Sequence, residues 1–392
     1  MIVQTLYILF IIFIILAAGK HMAIIRDIEC IKLSYIPRYK PIDGLATIGS
    51  RDVFLVKIIT DQGLYGIGES FALGSLDSLE AIVNETLKPV LVGEDCRDVG
   101  RLWAKMYRTT FRYGRRGIVL AAISGVDIAL WDLSGKICHQ PVYKLAGGYR
   151  DQITAYASGG YYLEGRGIDA LTEEAQRYLD QGFTMMKMKV GAAPLDVDLE
   201  RIKQVQNVIG DKLRLGVDAN AVWDFNTALE MGRKFEDLGI AFFEEPVSSD
   251  HIEDSIRLAQ LLDTPIAGYE TELTHFGMRD FIARHAVDIV QTDAIWAGGI
   301  TEALRIATLA SAWNKPVIPH FSASAVSLAA NLHFGAAISN CELIELTQDE
   351  NPLRDELLID PISVKKGVVY LPSEPGLGIE LNEETVSRFR VK

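Results

Sequence analysis

Three carboxylates recur at even spacing in the second half of the chain: Asp218 in Gly-Val-Asp-Ala-Asn, Glu244 in Phe-Phe-Glu-Glu-Pro and Glu270 in Gly-Tyr-Glu. They lie 26 residues apart each time (244 − 218 and 270 − 244), which fits one strand-and-helix unit per acid. Each closes or follows a short apolar run, so the three come together at neighbouring strand ends. Taken singly, any of them would serve as the N-cap of the next helix. Three in successive units repel one another unless a cation compensates them. Hard oxygen donors with no thiolate among them suit Mg²⁺ better than zinc.

Proton-transfer groups accompany the acids. In Met185-Met186-Lys187-Met188-Lys189 strand alternation puts both lysines on one side, and that side must be the inner one, because Met186 and Met188 suit an apolar layer. An ammonium beside a divalent cation and a second ammonium is pushed toward the pKa of a general base, which assigns that part to Lys189. Asp293 and His320 close two further apolar runs 27 residues apart (320 − 293). An Asp bonded to one imidazole nitrogen fixes the tautomer and leaves the other nitrogen for proton transfer. Glu345 lies on a later run, where a carboxyl can donate to a developing oxyanion. Glu342 competes for that part, but Glu345 is nearer the following loop. The histidines at 139, 251, 275, 285 and 333 have no such partners and read as structural or solvated. The Gly298-Gly299-Ile300-Thr301 turn fits an anion at a helix N-terminus or a plain tight loop.

One side chain per strand end is what a closed barrel of βα units would position, with catalytic groups at the C-terminal ends of its strands. The predicted strands are Thr154–Ala157, Met185–Lys189, Arg214–Asp218, Ala241–Glu244, Ile266–Tyr269, Ile289–Thr292, Val317–Pro319 and Glu342–Leu346. Eight such units favour a barrel over an open sheet, and no Gly-x-Gly-x-x-Gly loop supports a dinucleotide fold. Before them come β-branched runs from Ile24 to Leu33, Asp52 to Thr60 and Leu64 to Glu69, then helical patterns at Leu76–Val90 and Arg116–His139. The expected division is an α+β domain over 22–148, the barrel over 149–350, and a segment over 351–392 that returns to the first domain.

Composition narrows the partners. With 52 Asp and Glu against 39 Lys and Arg, the net charge of -13 argues against nucleic acid, so an anionic substrate must meet a local cation. The four cysteines are far apart, which fits a reducing, cytoplasmic setting and gives neither a zinc nor a disulfide framework. Residues 1–21 are mostly apolar, with no Lys or Arg before the apolar run. They read as an anchor, an atypical export signal, or a start placed upstream of Met22, of which we favour the last. Beyond what that segment leaves open, no membrane partner is expected.

The set Lys187-x-Lys189, Asp218-x-Asn220, Glu244-Glu245-Pro246, Glu270, Asp293, His320 and Glu345 resembles the mandelate racemase branch of the enolase superfamily, as do Gly66-Ile67-Gly68-Glu69 and Asn351-Pro352-Leu353-Arg354-Asp355-Glu356. The resemblance runs from about Ile24 to Lys392. It implies a (β/α)7β barrel under an α+β N-terminal capping domain, one Mg²⁺ per subunit, and removal of the α-proton of a carboxylate to give a metal-stabilised enediolate. It further implies a homo-oligomer, octamer or dimer. By this likeness Lys189 works from one face and His320 with Asp293 from the other, Lys187 neutralises the substrate carboxylate, Glu345 bonds its other oxygen, and Asn220 contacts substrate. Dehydration of a small anionic sugar acid, aldonate or aldarate, is the expected outcome, with racemisation as the alternative. The Tyr156–Tyr162 stretch is similar to members acting on tartrate-like diacids. Tyr269 and Thr292 depart from the glycine and proline common at those places, which bears on pocket shape. The loops at about Tyr35–Ser50 and Ser70–Leu76 would set specificity.

Overall fold

The computed structural model describes residues 23–392, so the apolar segment 1–21 lies outside the described residues. Ile25–Tyr35, Arg51–Thr60 and Tyr65–Ser70 form an antiparallel meander, whose last turn is the Asp61-Gln62-Gly63 piece. One face packs on the long helix Ile118–Cys138. Gly68 makes this possible, since a Cβ there would stand 2.1 Å from the Gly125 carbonyl oxygen. That helix is long and apolar enough to cross a membrane by composition, but 83% of its most apolar window is buried within the fold. It is a core helix.

Eight strands then build the barrel: Gln152–Gly159, Met185–Lys189, Arg214–Asp218, Phe243–Glu244, Ile266–Gly268, Ile289–Thr292, Val317–Pro319 and Leu343–Thr347. The first seven pair in parallel in chain order, and the eighth returns to pair with the first, Glu345 opposite Tyr156. Each of the first seven leads into a helix, from Ile168–Asp180 to Ala325–Ala337, and the eighth does so only into the single turn Pro352–Asp355. The fold is therefore a (β/α)7β barrel with an α+β cap: the alternation of apolar runs and amphipathic helices pointed to a closed barrel of βα units, and the resemblance implied its (β/α)7β form. After Asn351 the chain lays Val368–Tyr370 antiparallel against the first barrel strand and then reaches the meander, where Val391 N donates to Lys32 O (3.0 Å).

Buried acids join cap to barrel. Asp127, in the middle of the long helix, accepts from Thr301 N (3.0 Å) and Thr301 Oγ1 (2.6 Å) at the start of the helix Ile300–Ala312. Glu69, at the end of the meander, accepts from Ser324 Oγ (2.5 Å) and Ser327 N (2.8 Å) at the start of Ala325–Ala337. Each places a carboxylate where backbone N–H groups lack partners within their own helix. The Gly298-Gly299 turn thus does meet an anion, but one supplied by the chain itself. Gly299 has φ 91°, and a Cβ there would stand 2.1 Å from Asp127 Oδ2.

Candidate active site

Strand register aligns the reactive groups. Lys189 is the Cα partner of Asp218, and Asp218 of Glu244, so one row across three strands carries a lysine and two acids. Lys189 Nζ donates to Asp218 Oδ2 at 2.5 Å. Lys187, two residues back on the same face, is fully buried and sits 2.6 Å from Glu244 Oε1, 2.8 Å from Glu345 Oε1 and 3.2 Å from Asp218 Oδ2. Glu244 also accepts from Gln291 Nε2 (2.8 Å), and Asp218 from the Asn220 backbone N–H (2.9 Å). Glu270 follows the fifth strand, and its buried Oε2 has no hydrogen-bond partner.

The other wall holds the imidazole. His320 Nδ1 lies 2.9 Å from Asp293 Oδ2, while Nε2 points at Glu270 Oε1 (3.5 Å) and Glu345 Oε2 (4.0 Å). Asp293 is held in turn by Asn331 Nδ2 (2.8 Å) and the Ile295 N–H (3.1 Å). A charged Asp293 accepts from Nδ1–H, which leaves Nε2 toward the cavity. Glu345 accepts from Phe321 N (3.2 Å), tying the eighth strand to the end of the seventh.

These neighbours set the electrostatics. Burial opposes ionisation of Asp218, yet Lys189 and Lys187 hold it well below the usual carboxylate range. Glu244 goes the other way, driven up by burial and then by Asp218, and Glu245 is driven up by burial and Glu270. Burial would lower His320, but Glu270, Glu345 and Asp293 raise it to about 10. Lys189 differs from the sequence-based expectation of a lowered pKa: burial, the largest influence, and Lys187 push it down, but Asp218, Tyr161 and Glu244 together carry it up. The lowering argument presupposed a cation drawing on Asp218.

Asp218, Glu244 and Glu270 fit Mg²⁺ by donor chemistry. They are hard oxygen donors, Glu270 Oε2 lacks any partner, and Glu244 and Glu245 are acids short of compensating charge. Among the described residues no group of three or more His, Cys, Asp or Glu stands in ligating geometry around one point. The lysine ammoniums lie against the acid oxygens instead.

A cavity of about 180 Å³ opens over these groups, lined by Lys189, Asn220, Glu270, His320 and Glu345 on the barrel side. Lys187, Asp218, Glu244 and Asp293 lie beneath it. On the cap side, lining residues between Asp43 and Ser50 and Phe71–Leu73 fall inside the two loops marked from sequence, whereas Arg51, Asp52 and Val53 lie just beyond the first. Glu342 is left out of this cavity. Tyr269 does not shape it, because its ring packs on Phe281 (4.9 Å) and its hydroxyl bonds Ser255. Arg116 reaches Glu272 (2.9 Å). Sequence reasoning passed over Gln291, Asn331, Glu245 and Arg51. Gln291 was findable as a polar residue two before Asp293 on the inward face; Asn331 only as a lone amide in the apolar helix Ala325–Ala337. Glu245 was seen in its motif, but its φ of 40° is what turns it into the cavity beside Glu270.

Known proteins agree with this architecture along nearly the whole chain. Residues 31–147 match the family model "Mandelate racemase / muconate lactonizing enzyme, N-terminal domain", and residues 170–385 match "Enolase C-terminal domain-like". Arabinonate dehydratase of Saccharolobus solfataricus is 42% identical, covering 94% of this chain and 100% of its own. D-galactarolactone cycloisomerase of Agrobacterium fabrum is 35% identical over 86% and 91%, and L-talarate/galactarate dehydratase of Salmonella typhimurium 31% over 91% and 89%. Among solved structures, the 3,6-anhydro-D-galactonate cycloisomerase from Zobellia galactanivorans superposes with TM-score 0.86 at 34% identity, covering 94% and 100%. A racemase from Streptomyces coelicolor with bound magnesium gives TM-score 0.86 at 27% identity over 94% and 100%.

Proposed function

Because this chain belongs to the mandelate racemase and muconate lactonizing branch of the enolase superfamily, we propose that it removes the α-proton of a sugar acid, aldonate or aldarate, and eliminates water to give a 2-keto-3-deoxy acid. The observation that carries this reading is the placement of Lys189 and the His320–Asp293 pair on one cavity, on the second and on the sixth and seventh strands. Relatives named as dehydratases of arabinonate and of talarate or galactarate support the choice of elimination.

Mg²⁺ held by Asp218, Glu244 and Glu270 would supply positive charge to the substrate carboxylate as the α-proton leaves. Lys189 takes that proton from one face. Glu345, fixed by Phe321 N–H and Lys187, is held ionised here by Lys187 and His320 against burial, so it bonds a carboxylate oxygen only when it carries a proton; Asn220 offers its unpartnered amide oxygen to a hydroxyl. His320, oriented by Asp293, delivers a proton from Nε2 to the departing β-hydroxyl. Lys187 keeps the buried acids paired from below. If the same imidazole instead gave its proton to the α-carbon, the outcome would be epimerisation, a second reading favoured by the solved racemase relative.

The test is a panel of mono- and diacid sugars with Mg²⁺ in D₂O, followed for α-deuteration and for 2-keto acid. Dehydration gives 2-keto acid with solvent deuterium at C3, since the α-carbon becomes the carbonyl; epimerisation gives α-deuterium with every hydroxyl retained. No signal from any acid, or turnover that survives chelation of Mg²⁺, overturns the proposal.

A further inference from the structure

The far wall of the cavity is built differently from its catalytic floor. Lys189 and His320 are cationic groups on the barrel side, and among the described lining residues the cap contributes one more, Arg51. Arg51 opens the strand Arg51–Thr60 and is only 7% exposed. Its charge is already matched: Nε donates to Asp349 Oδ2 at 2.8 Å and Nη2 to the same oxygen, while Nη1 donates to Ser322 Oγ at 3.3 Å. Tyr161, another lining residue, is a further hydrogen-bond partner of the guanidinium, which leaves one N–H to give. Asp43 and Asp52 lie on the same wall, with Asp52 accepting from Ser34 Oγ and Gly74 N. That end of the cavity therefore offers hydrogen-bond donors and acceptors but no uncompensated positive charge. A carboxylate brought there would lose its water and face two acids, whereas a hydroxyl would be satisfied.

We propose, on the premise of the proton-abstraction reading above, that the substrate is a monocarboxylate sugar acid whose distal hydroxyl meets Arg51 and Ser322, and that Asp349 excludes diacids by neutralising Arg51. Asp349 is then a specificity-determining residue that acts through Arg51.

The experiment compares five- and six-carbon aldonates with the aldarates of matching stereochemistry, measuring kcat/KM and α-deuterium uptake with Mg²⁺. The aldonate is expected to lead its matched aldarate by about 100-fold or more, the scale on which an unpaired buried charge discriminates. Asp349→Asn frees the guanidinium charge and is expected to raise kcat/KM for the aldarate by about 10-fold, one unit pair of charge at such a distance being enough for that. Arg51→Gln is expected to raise KM for the aldonate more than it lowers kcat. An aldarate turned over as fast as its matched aldonate by the parent enzyme overturns the inference whatever the variants do. A folded Asp349→Asn enzyme with an unmoved ratio overturns it as well. If neither class takes up solvent deuterium at C2 or C3 or yields 2-keto acid, the proton-abstraction reading fails and takes this inference with it; if diacids react as fast as monoacids, only this inference fails.

Discussion

Two buried histidines show how differently one side chain is used on either side of the same barrel wall. His320, at the end of the seventh strand, has three carboxylates around it, at 2.9, 3.5 and 4.0 Å, and they overcome burial to raise it to about 10. His333, in the helix that follows, accepts from Tyr143 N at Nδ1 (3.1 Å) and lies 3.0 Å from Leu377 O at Nε2. With Nδ1 accepting, Nε2 must carry the proton, so the ring is neutral, and burial lowers it to about 4. Burial pushes both rings the same way. The partners decide: carboxylates make a group that can exchange protons, backbone groups make a strut.

The largest expected effect falls on the catalytic side of this contrast. Lys189→Ala and His320→Asn should each lower kcat by about 10³-fold, within the range assigned to a positioned acid or base, with melting temperatures near the parent's. His333→Gln should leave kcat per folded molecule within about 3-fold, a change too small for a group that moves protons. Steady-state rates corrected for folded fraction decide this, and a fully active His320→Asn enzyme would erase the distinction. Stability should reverse the order. His333→Gln keeps a donor for Leu377 but strands the Tyr143 N–H, costing about 1–3 kcal/mol in denaturant unfolding. A silent His333→Gln would mean that water or another acceptor replaces the ring.

The smallest effect is a slope against pH. His333 falls from the ordinary imidazole value of 6.5 in the unfolded chain to about 4 in the folded one. Between those values the unfolded chain binds more protons at this site, so its contribution to stability is full above pH 6.5 and is lost as pH falls toward 4. Unfolding free energies of the parent should therefore drop over that window by more than those of His333→Gln. Parallel curves would remove His333 from the account.

Much of the site was legible because a barrel repeats. The spacing of Asp218, Glu244 and Glu270 reports one unit per acid, and alternation in Met185–Lys189 assigns both lysines to the axis; register then makes neighbours of Lys189, Asp218 and Glu244. The eight strands were visible for the same reason, with ends shifted by one or two residues where ladder bonds, not composition, set the limit. What stayed hidden depends on contacts between distant parts of the chain. Arg51 meets Asp349 across 298 residues, and Asn331 reaches Asp293 from a mostly apolar helix on which it is one of three polar residues, with Ser327 and His333. No period announces such pairs. For the Gly298-Gly299 turn the sequence left an anion site and a plain tight loop both open, and the carboxylate that settles it, Asp127, comes from a helix 174 residues away.

The contact of Asp127 and Glu69 with two barrel helices bears on how such an enzyme changes its diet. The cap is indexed to the barrel by carboxylates seated on helix starts, with Trp103 Nε1 on Gly298 O (2.7 Å) as a further peg. Of the loops that line the cavity, the one after the meander is pinned at Phe71, whose N–H donates to Ile295 O (2.9 Å) and whose ring stacks on Trp296, and the rest hang from this joint. They can be rewritten by mutation while the floor beneath keeps its alignment, so new substrates can be explored without renegotiating the geometry of proton transfer.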